Sequence, residues 1–266
     1  QLKTAGATGA ITQTGETVAT AILAKGGTTG SLAVVSATGD VTLTNDTNDV
    51  AKVAANIATA GKFFKYTDAN ALAIDTVTKV GTLTAPSTTA ALPAADTVGI
   101  TTLGGAGGKV EVNALSAAGT LDVNQAILTT PAAGAATAGG SVLLEAGGAI
   151  TLATSGTITT TGAASTGTVG GVGGEIFINH TNAAAGDITI GKNLTAAGGA
   201  TTVGAFNGGA GGVVTISNAD GSILLTAGAI DVSGGTSAAA TQGNAGTVQL
   251  KTAGATGAIT QTGETV

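Results

Sequence analysis

The chain has no cysteine, no methionine and no tryptophan among its 266 residues. Without cysteine it forms neither disulfides nor thiolate metal sites. That is compatible with a secretion route in which stray disulfides would be a nuisance. Arginine is missing too, since all nine basic residues are lysine. Only 9% of residues are charged, the formal net charge is −6 and the sequence pI is about 4.5. With no lysine cluster, this balance argues against a nucleic-acid partner, because phosphates are held by basic patches. Aromatic residues make up 2% of the chain, too few for a thick core. No apolar run approaches the roughly 20 residues that cross a bilayer, so no membrane span is expected in this segment.

What the chain does have is glycine, 45 residues of it, and a 43% hydrophobic fraction in which alanine is prominent. Low charge with high glycine is one mark of disorder. Against that, Val, Ile and Leu recur in short alternating runs, enough to bury a long, thin core.

The sequence QLKTAGATGAITQTGETV at Gln1–Val18 recurs letter for letter at Gln249–Val266, an offset of 248 residues. Identity over eighteen positions is not chance. It reads as a window slightly longer than one unit of a tandem array, and the lack of an initiator Met or signal peptide fits an internal window. A shorter period lies inside. The segments GGKVEV, GGSVLL, GGEIFI, GGVVTI and AGTVQL have their second glycines at Gly108, Gly140, Gly174, Gly212 and Gly246, in steps of 32, 34, 38 and 34 residues. That is the solenoid range.

Each step has the same interior. An alternating pair opens it: Val110/Val112, Val142/Leu144, Ile176/Ile178, Val214/Ile216, Val248/Leu250. A second pair follows: Leu121/Val123, Ile150/Leu152, Ile188/Ile190, Ile223/Leu225, with Ile259 opening the last. A third apolar spot follows at Ile127, Ile158, Leu194, Ile230/Val232 and Val266. Alternation with period two marks strands with one buried face. Three short strands per turn predict one coil of a single-stranded parallel β-helix, all-β, with like residues stacked above like. The first half is less regular. Leu32/Val34, Val41/Leu43 and Val50 group as one coil; Phe63, Phe64 and Tyr66 with Leu72/Ile74 and Val77 group as another. Between Val80 and Gly105 no register is read, and Pro86 and Pro93 suggest a bulged loop. One unit is then about seven or eight coils, and residues 1–266 one continuous solenoid rising about 35 Å per unit at the spacing of paired strands. The nearest thing to a helical stripe is Asp49–Phe64, with Val50, Val53, Ala54 and Ile57.

At GGSVLLEAGGAITLATSGTITTTG (Gly139–Gly162) and GGVVTISNADGSILLTAGAIDVSGG (Gly211–Gly235) the chain resembles the repeat region of filamentous-haemagglutinin-like large exoproteins and giant bacterial adhesins. GDVTLTNDTNDV and TDANALAIDTV are similar to that family as well. The resemblance implies a right-handed β-helix in a long, rod-like protein outside a bacterial cell, at its surface or secreted.

Polysaccharide-cleaving β-helices need clustered carboxylates, usually with Arg or Lys. Here Glu111, Glu145 and Glu175 stand near similar glycine corners but in different registers, so no catalytic residue is assigned and no enzyme is expected. Asn45–Asp49 (NDTND) could offer oxygens to calcium, but an Asx-rich corner bonding its own backbone is the favoured reading. GGAGGKVEV and GGVGGEIFI lack the Asp of the calcium-binding nonapeptide. No phosphate-loop pattern exists. No metal or cofactor is assigned. His180, in INHTN, is expected at an exposed strand end. TITTT at Thr157–Thr161 evokes an ice-binding ladder, but the equivalent positions 126–128, 194–196 and 230–232 break it. The expectation is a non-catalytic structural segment whose partners are neighbouring identical units along the axis, and other fibres, cell surfaces or glycans. The alternative is a carbohydrate- or cell-binding module on the same rod. Phe63, Phe64, Tyr66, Phe177 and Phe206 discriminate: clustered on one exposed face they favour binding, buried or scattered they favour structure. The connections Thr160–Gly171 and Ala196–Gly208 are expected to bulge from the rod. The two terminal copies are expected to be related by translation along one axis.

Overall fold

The computed structural model describes the chain except residues 5–8, 16, 25–29, 80–94, 106–107, 135, 183–185, 203–204, 239, 256 and 263–266. Pro86, Pro93 and the third apolar spot at Val266 lie outside the described residues. Among those described, the chain is all-β, with a single 3-10 turn at Val18–Thr20.

The amino-terminal part runs through β1 (Leu2–Thr4), β2 (Ile11–Thr12), β3 (Ser31–Ser36), β4 (Val41–Leu43), β5 (Lys52–Ile57), β6 (Phe64–Asp68) and β7 (Leu72–Ile74). β8 (Thr76–Val77), β9 (Thr97–Val98) and β10 (Ile100–Thr102) follow. Then a set of one long and two short strands repeats. Its members are β11 (Lys109–Ala114), β12 (Leu121–Val123) and β13 (Ile127–Leu128), then β14 (Ser141–Ala146), β15 (Ile150–Leu152) and β16 (Ile158–Thr159). Next come β17 (Glu175–His180), β18 (Ile188–Ile190) and β19 (Leu194–Thr195), then β20 (Val213–Asn218), β21 (Ile223–Leu225) and β22 (Ile230–Asp231). β23 (Thr247–Thr252) and β24 (Ile259–Gln261) come last.

These strands form large parallel sheets curled into a half-barrel. An 8-stranded sheet runs β2-β4-β6-β11-β14-β17-β20-β23. Its seven steps make about 34 Å at roughly 4.8 Å each. The 14-stranded sheet forks at β5. Ala55–Ile57 pair with β10 and lead to β13, β16, β19 and β22. Lys52 and Val53 pair with β7 and lead to β12, β15, β18, β21 and β24. The molecule thus presents three columns of stacked strands. Only β8 and β9 pair antiparallel among the described strands.

The alternation sets this register. A slip by one residue would turn every aliphatic side chain outward. Inward rows therefore join like with like: Val110–Val142–Ile176–Val214 in the first column, Leu121–Ile150–Ile188–Ile223 in the second. A third row runs Ile100–Ile127–Ile158–Leu194–Ile230. Nearly all of these side chains are fully buried; Ile230, at the end of its row, is half-buried.

The first half departs from the expected grouping. Val41 and Leu43 pair with Phe64 and Tyr66, so they are first-column residues and not the second strand of a coil begun at Leu32. β3 and β5 each run straight across the other two columns. No corner residue interrupts SLAVVS or KVAANI, whereas Asn124-Gln125 separates β12 from β13. The Asp49–Phe64 stretch, with its weak helical stripe, contains strand β5.

The terminal copies also depart from expectation. Through Val34 and Ala55, Leu2 stands in the column of β10, and Ile11 lies in the 8-stranded sheet. Their counterparts Leu250 and Ile259 stand in the 8-stranded sheet and in the column of β21. Identical sequences occupy places one column apart, so a pure translation does not relate them. β1 and β2 pair with strands that follow them, β23 and β24 with strands that precede them. The neighbouring row decides which column a short, weakly biased strand joins.

The connections from the third column back to the first do more than bulge. Their tips, such as Thr166 and Val169, are exposed, but Thr160, Ala163 and Ser165 are buried, as are Ala196 and Thr201. Outgoing and returning legs hydrogen-bond to one another and to the next set along. The amide of Gly199 donates to Gly171 O at 2.7 Å, Gly209 to Gly199 at 2.9 Å, Gly235 to Gly209 at 2.8 Å and Gly243 to Gly235 at 3.0 Å. In the other direction Gly198 donates to Ser233 O and Gly208 to Thr241 O. The legs pack backbone on backbone, and a Cβ on Gly199, Gly209 or Gly235 would stand well under 3.0 Å from a neighbouring carbonyl. As at the axis of collagen, only glycine fits. The apolar pattern could not show this layer, because its closest contacts are made by glycine backbone.

Gly209 has no positive φ, so on backbone grounds alanine there would stabilise by about 0.4–1 kcal/mol through the unfolded chain. The steric contact reverses the sign. Gly209→Ala is expected to lower stability by about 1–3 kcal/mol, while Gly167→Ala, with open space around its Cβ, leaves it unchanged or higher. Urea unfolding of both variants checks the contrast.

Candidate functional site

Buried polar groups concentrate at the ends of the long strands. The last residues of the long strands form one row: Asp68, Ala114, Ala146, His180, Asn218 and Thr252. Alternation continues inward past Tyr66 to Asp68 and past Ile178 to His180, and both row members are fully buried. His180 therefore ends its strand as expected but is not exposed. Its Nδ1 lies 2.8 Å from Asn218 Oδ1 and its Nε2 3.1 Å from Gly147 O. The Asn218 amide donates from Nδ2 to Gly186 O and Ser222 O. The ring thus braces its own strand set against the sets on either side.

Asp68 was not singled out from the sequence, although alternation from Phe64 and Tyr66 marks it as inward. Its Oδ2 accepts from Tyr66 Oη at 2.7 Å and from the Val50 amide at 3.0 Å, and its Oδ1 from the Asn70 amide at 2.9 Å. Burial raises its pKa above the ordinary value of 3.8, and these three hydrogen bonds only partly offset that. Burial, with the adjacent Asp68 charge, also holds the Tyr66 phenol in its protonated form. The pair closes a corner and is fully buried.

The Asn45–Asp49 corner uses its amides on the fold. Asn45 Oδ1 accepts from Thr47 N and Oγ1, an Asx turn, while Nδ2 donates to Gly15 O, Thr17 O and Thr20 Oγ1. Asn48 Nδ2 donates to Leu43 O, Thr67 O and Gln13 Oε1, and Oδ1 accepts from Ile22 N and Gln13 Nε2. The corner thus ties three successive turns of chain together.

The three glutamates fall in three different rows. Glu111 pairs with Leu143, Glu145 with Asn113 and Asn179, and Glu175 with Val213. Glu111 meets Lys109 at 2.7 Å and Lys65 at 3.6 Å, and Asn179 Nδ2 donates to Glu145 Oε1 at 3.0 Å. Burial opposes the ionisation of Glu111, but its hydrogen bond with Lys109 and the charges of Lys109 and Lys65 outweigh it and lower its pKa below 4.5. In the second and third columns the threonines form two short rows, Thr151–Thr189 bounded by Asp122 and Leu224, and Thr159–Thr195 bounded by Leu128 and Asp231. Among the described residues no three His, Asp or Glu side chains converge as a metal set. No helix there is long and apolar enough to cross a membrane.

The aromatic rings do not form one exposed cluster. Phe64 and Tyr66 are fully buried and stack at 6.4 Å, while Phe63, Phe177 and Phe206 are half-buried on separate segments. No family model, curated protein or solved structure matches this chain.

Asp68 and Glu111 give stability slopes of opposite sign. Asp68, raised on folding, contributes stability below its unfolded pKa that is lost as pH rises through the folded value. Glu111, lowered, contributes stability above its unfolded pKa that is lost as pH falls through the folded value. Relative to the parent, Asp68→Asn is therefore expected to gain stability as pH rises from about 4, and Glu111→Gln to gain as pH falls below about 5. Urea unfolding across that range reads both slopes.

Proposed function

We propose that the chain is a segment of a right-handed parallel β-helical solenoid, about seven or eight coils per 248-residue unit, acting as a stiff, non-catalytic rod in an extracellular or cell-surface bacterial fibre. Three columns of parallel strands with like residues in register are what such a solenoid requires. The observation that carries the reading is where the non-repeating, chemistry-bearing groups lie. Asp68, Tyr66, His180 and Asn218 brace corners from inside, and the aromatic rings are buried or apart. A glycan-binding face would instead present rings and amides together to solvent.

On this reading the mechanism is mechanical. Each coil contacts only its neighbours, so length follows from repetition and stiffness from continuous inter-coil hydrogen bonds. Neighbouring identical units along the axis are the first partners, and they add length without a new interface. Electron microscopy of arrays with one, two and four units tests this. Particles of constant width whose length grows by about 35 Å per unit are expected. Compact particles, or beads on flexible string, would contradict it.

A further inference from the structure

His180 is fully buried, yet both of its ring nitrogens face acceptors. Nδ1 lies 2.8 Å from Asn218 Oδ1, and Nε2 lies 3.1 Å from Gly147 O. The orientation of the Asn218 amide is fixed by its other partners. Its Nδ2 donates to Gly186 O at 2.9 Å and to Ser222 O at 3.0 Å, and its Oδ1 accepts from the Asp220 amide at 3.1 Å. Oδ1 is therefore an acceptor toward the ring, as is the carbonyl of Gly147. A neutral imidazole carries one N–H and answers only one of them. The form protonated on Nδ1 keeps the shorter bond, to Asn218, and turns a bare Nε2 lone pair toward Gly147 O. Among the described residues that carbonyl accepts no other hydrogen bond.

The neighbouring set shows what this position does. Asn218 stands one step along the same row and donates back to Gly186 O, on the corner after β17. His180 Nε2 meets Gly147 O, on the corner after β14, in the same way. Asn218 makes its back bond with a neutral amide, whereas His180, with Nδ1–H given to Asn218, needs a second proton. We infer that His180 is a proton-operated latch. It ties β17 to the corner after β14 when both ring nitrogens carry protons, and releases that tie when Nε2 loses its own. Histidine is the side chain whose charge changes between about pH 5 and 8. Two acceptors favour the charged ring, and burial opposes it. Neither ring nitrogen bonds a carboxylate. Glu145 on β14 is taken by Asn179, and Asp187, before β18, accepts from the Ser222 amide. Asp220, beyond β20, reaches the ring only through its amide on Asn218 Oδ1, and its carboxylate lies toward Gly254. Glu175 opens β17 on the exposed face, and Lys251 in β23 continues the outer row of Ser217. The bond to Gly147 is thus made in acid and lost as pH rises. The latch needs only three stacked strands, so it stands apart from the rod reading above.

His180 is the one histidine in the chain, so its ring can be read in the intact protein. Nitrogen NMR of histidine-labelled protein reports the proton on each ring nitrogen separately. Protons on both nitrogens are expected at about pH 5, and a proton on Nδ1 alone by about pH 8. Urea unfolding gives the energetic counterpart. His180→Asn places at this position the neutral donor that serves at Asn218, so its back bond does not depend on pH. A proton held by the fold more tightly than by the unfolded chain stabilises at low pH, and that gain is lost as pH rises. The urea midpoint of the parent, relative to His180→Asn, should therefore climb as pH falls across the same range. Other titrating groups are common to both proteins and cancel in the difference. Three results would overturn the proposal: a ring that keeps one protonation state throughout, a neutral ring with its proton on Nε2, or a midpoint difference that does not change with pH. If His180→Asn fails to fold, the titration of the parent ring decides alone.

Discussion

Every strand set here must answer the backbone of the one before it at the same height. In a parallel stack a set's amides and carbonyls find partners only in its neighbours, so each set must repeat the path of the last. Buried backbone groups left unpaired are costly. That constraint fixes the corners, and it explains why the corners hold the conspicuous polar residues. Asn48, Asp68, His180 and Asn218 each bond groups on more than one turn of chain. They hold adjacent turns at a common height where no strand ladder can. The glycine legs meet the same constraint differently. With no side chain between them, two layers of chain share hydrogen bonds in two directions.

Much of this was legible in the sequence from Lys109 onward. Alternation there is strict, and Val110/Val112, Val142/Leu144 and their successors pair as the pattern implies. The three rows of Glu111, Glu145 and Glu175 were legible for the same reason. The first half was less so, because alanine-rich β3 and β5 carry no corner signal and cross two columns in a single strand. His180 was misplaced by its residue type, although its position in the alternation points inward. The glycine layer was hidden for a deeper reason. Hydrophobic patterning reports apolar side chains, and the closest contacts here are glycine backbone on backbone.

The polar features give the molecule more bracing than chemistry. Asp68 accepts three hydrogen bonds in a buried corner, and Glu111 sits between two lysines on the outer face. The features that vary between sets either brace the stack from inside or lie scattered on its surface. Repetition is the dominant property, and the duplicated eighteen residues carry it to the ends, where the same sequence finds a different row to join.

The claim at the centre is that the glycine legs are a bonded layer and not loose connections. Residue-resolved hydrogen exchange tests it most directly. The amides of Gly199, Gly209 and Gly235 should be protected to the same degree as those of β17 and β20, with rapid exchange confined to the tips around Thr166 and Val169. Fast exchange along the whole of each connection, with protection only in the strands, would contradict it.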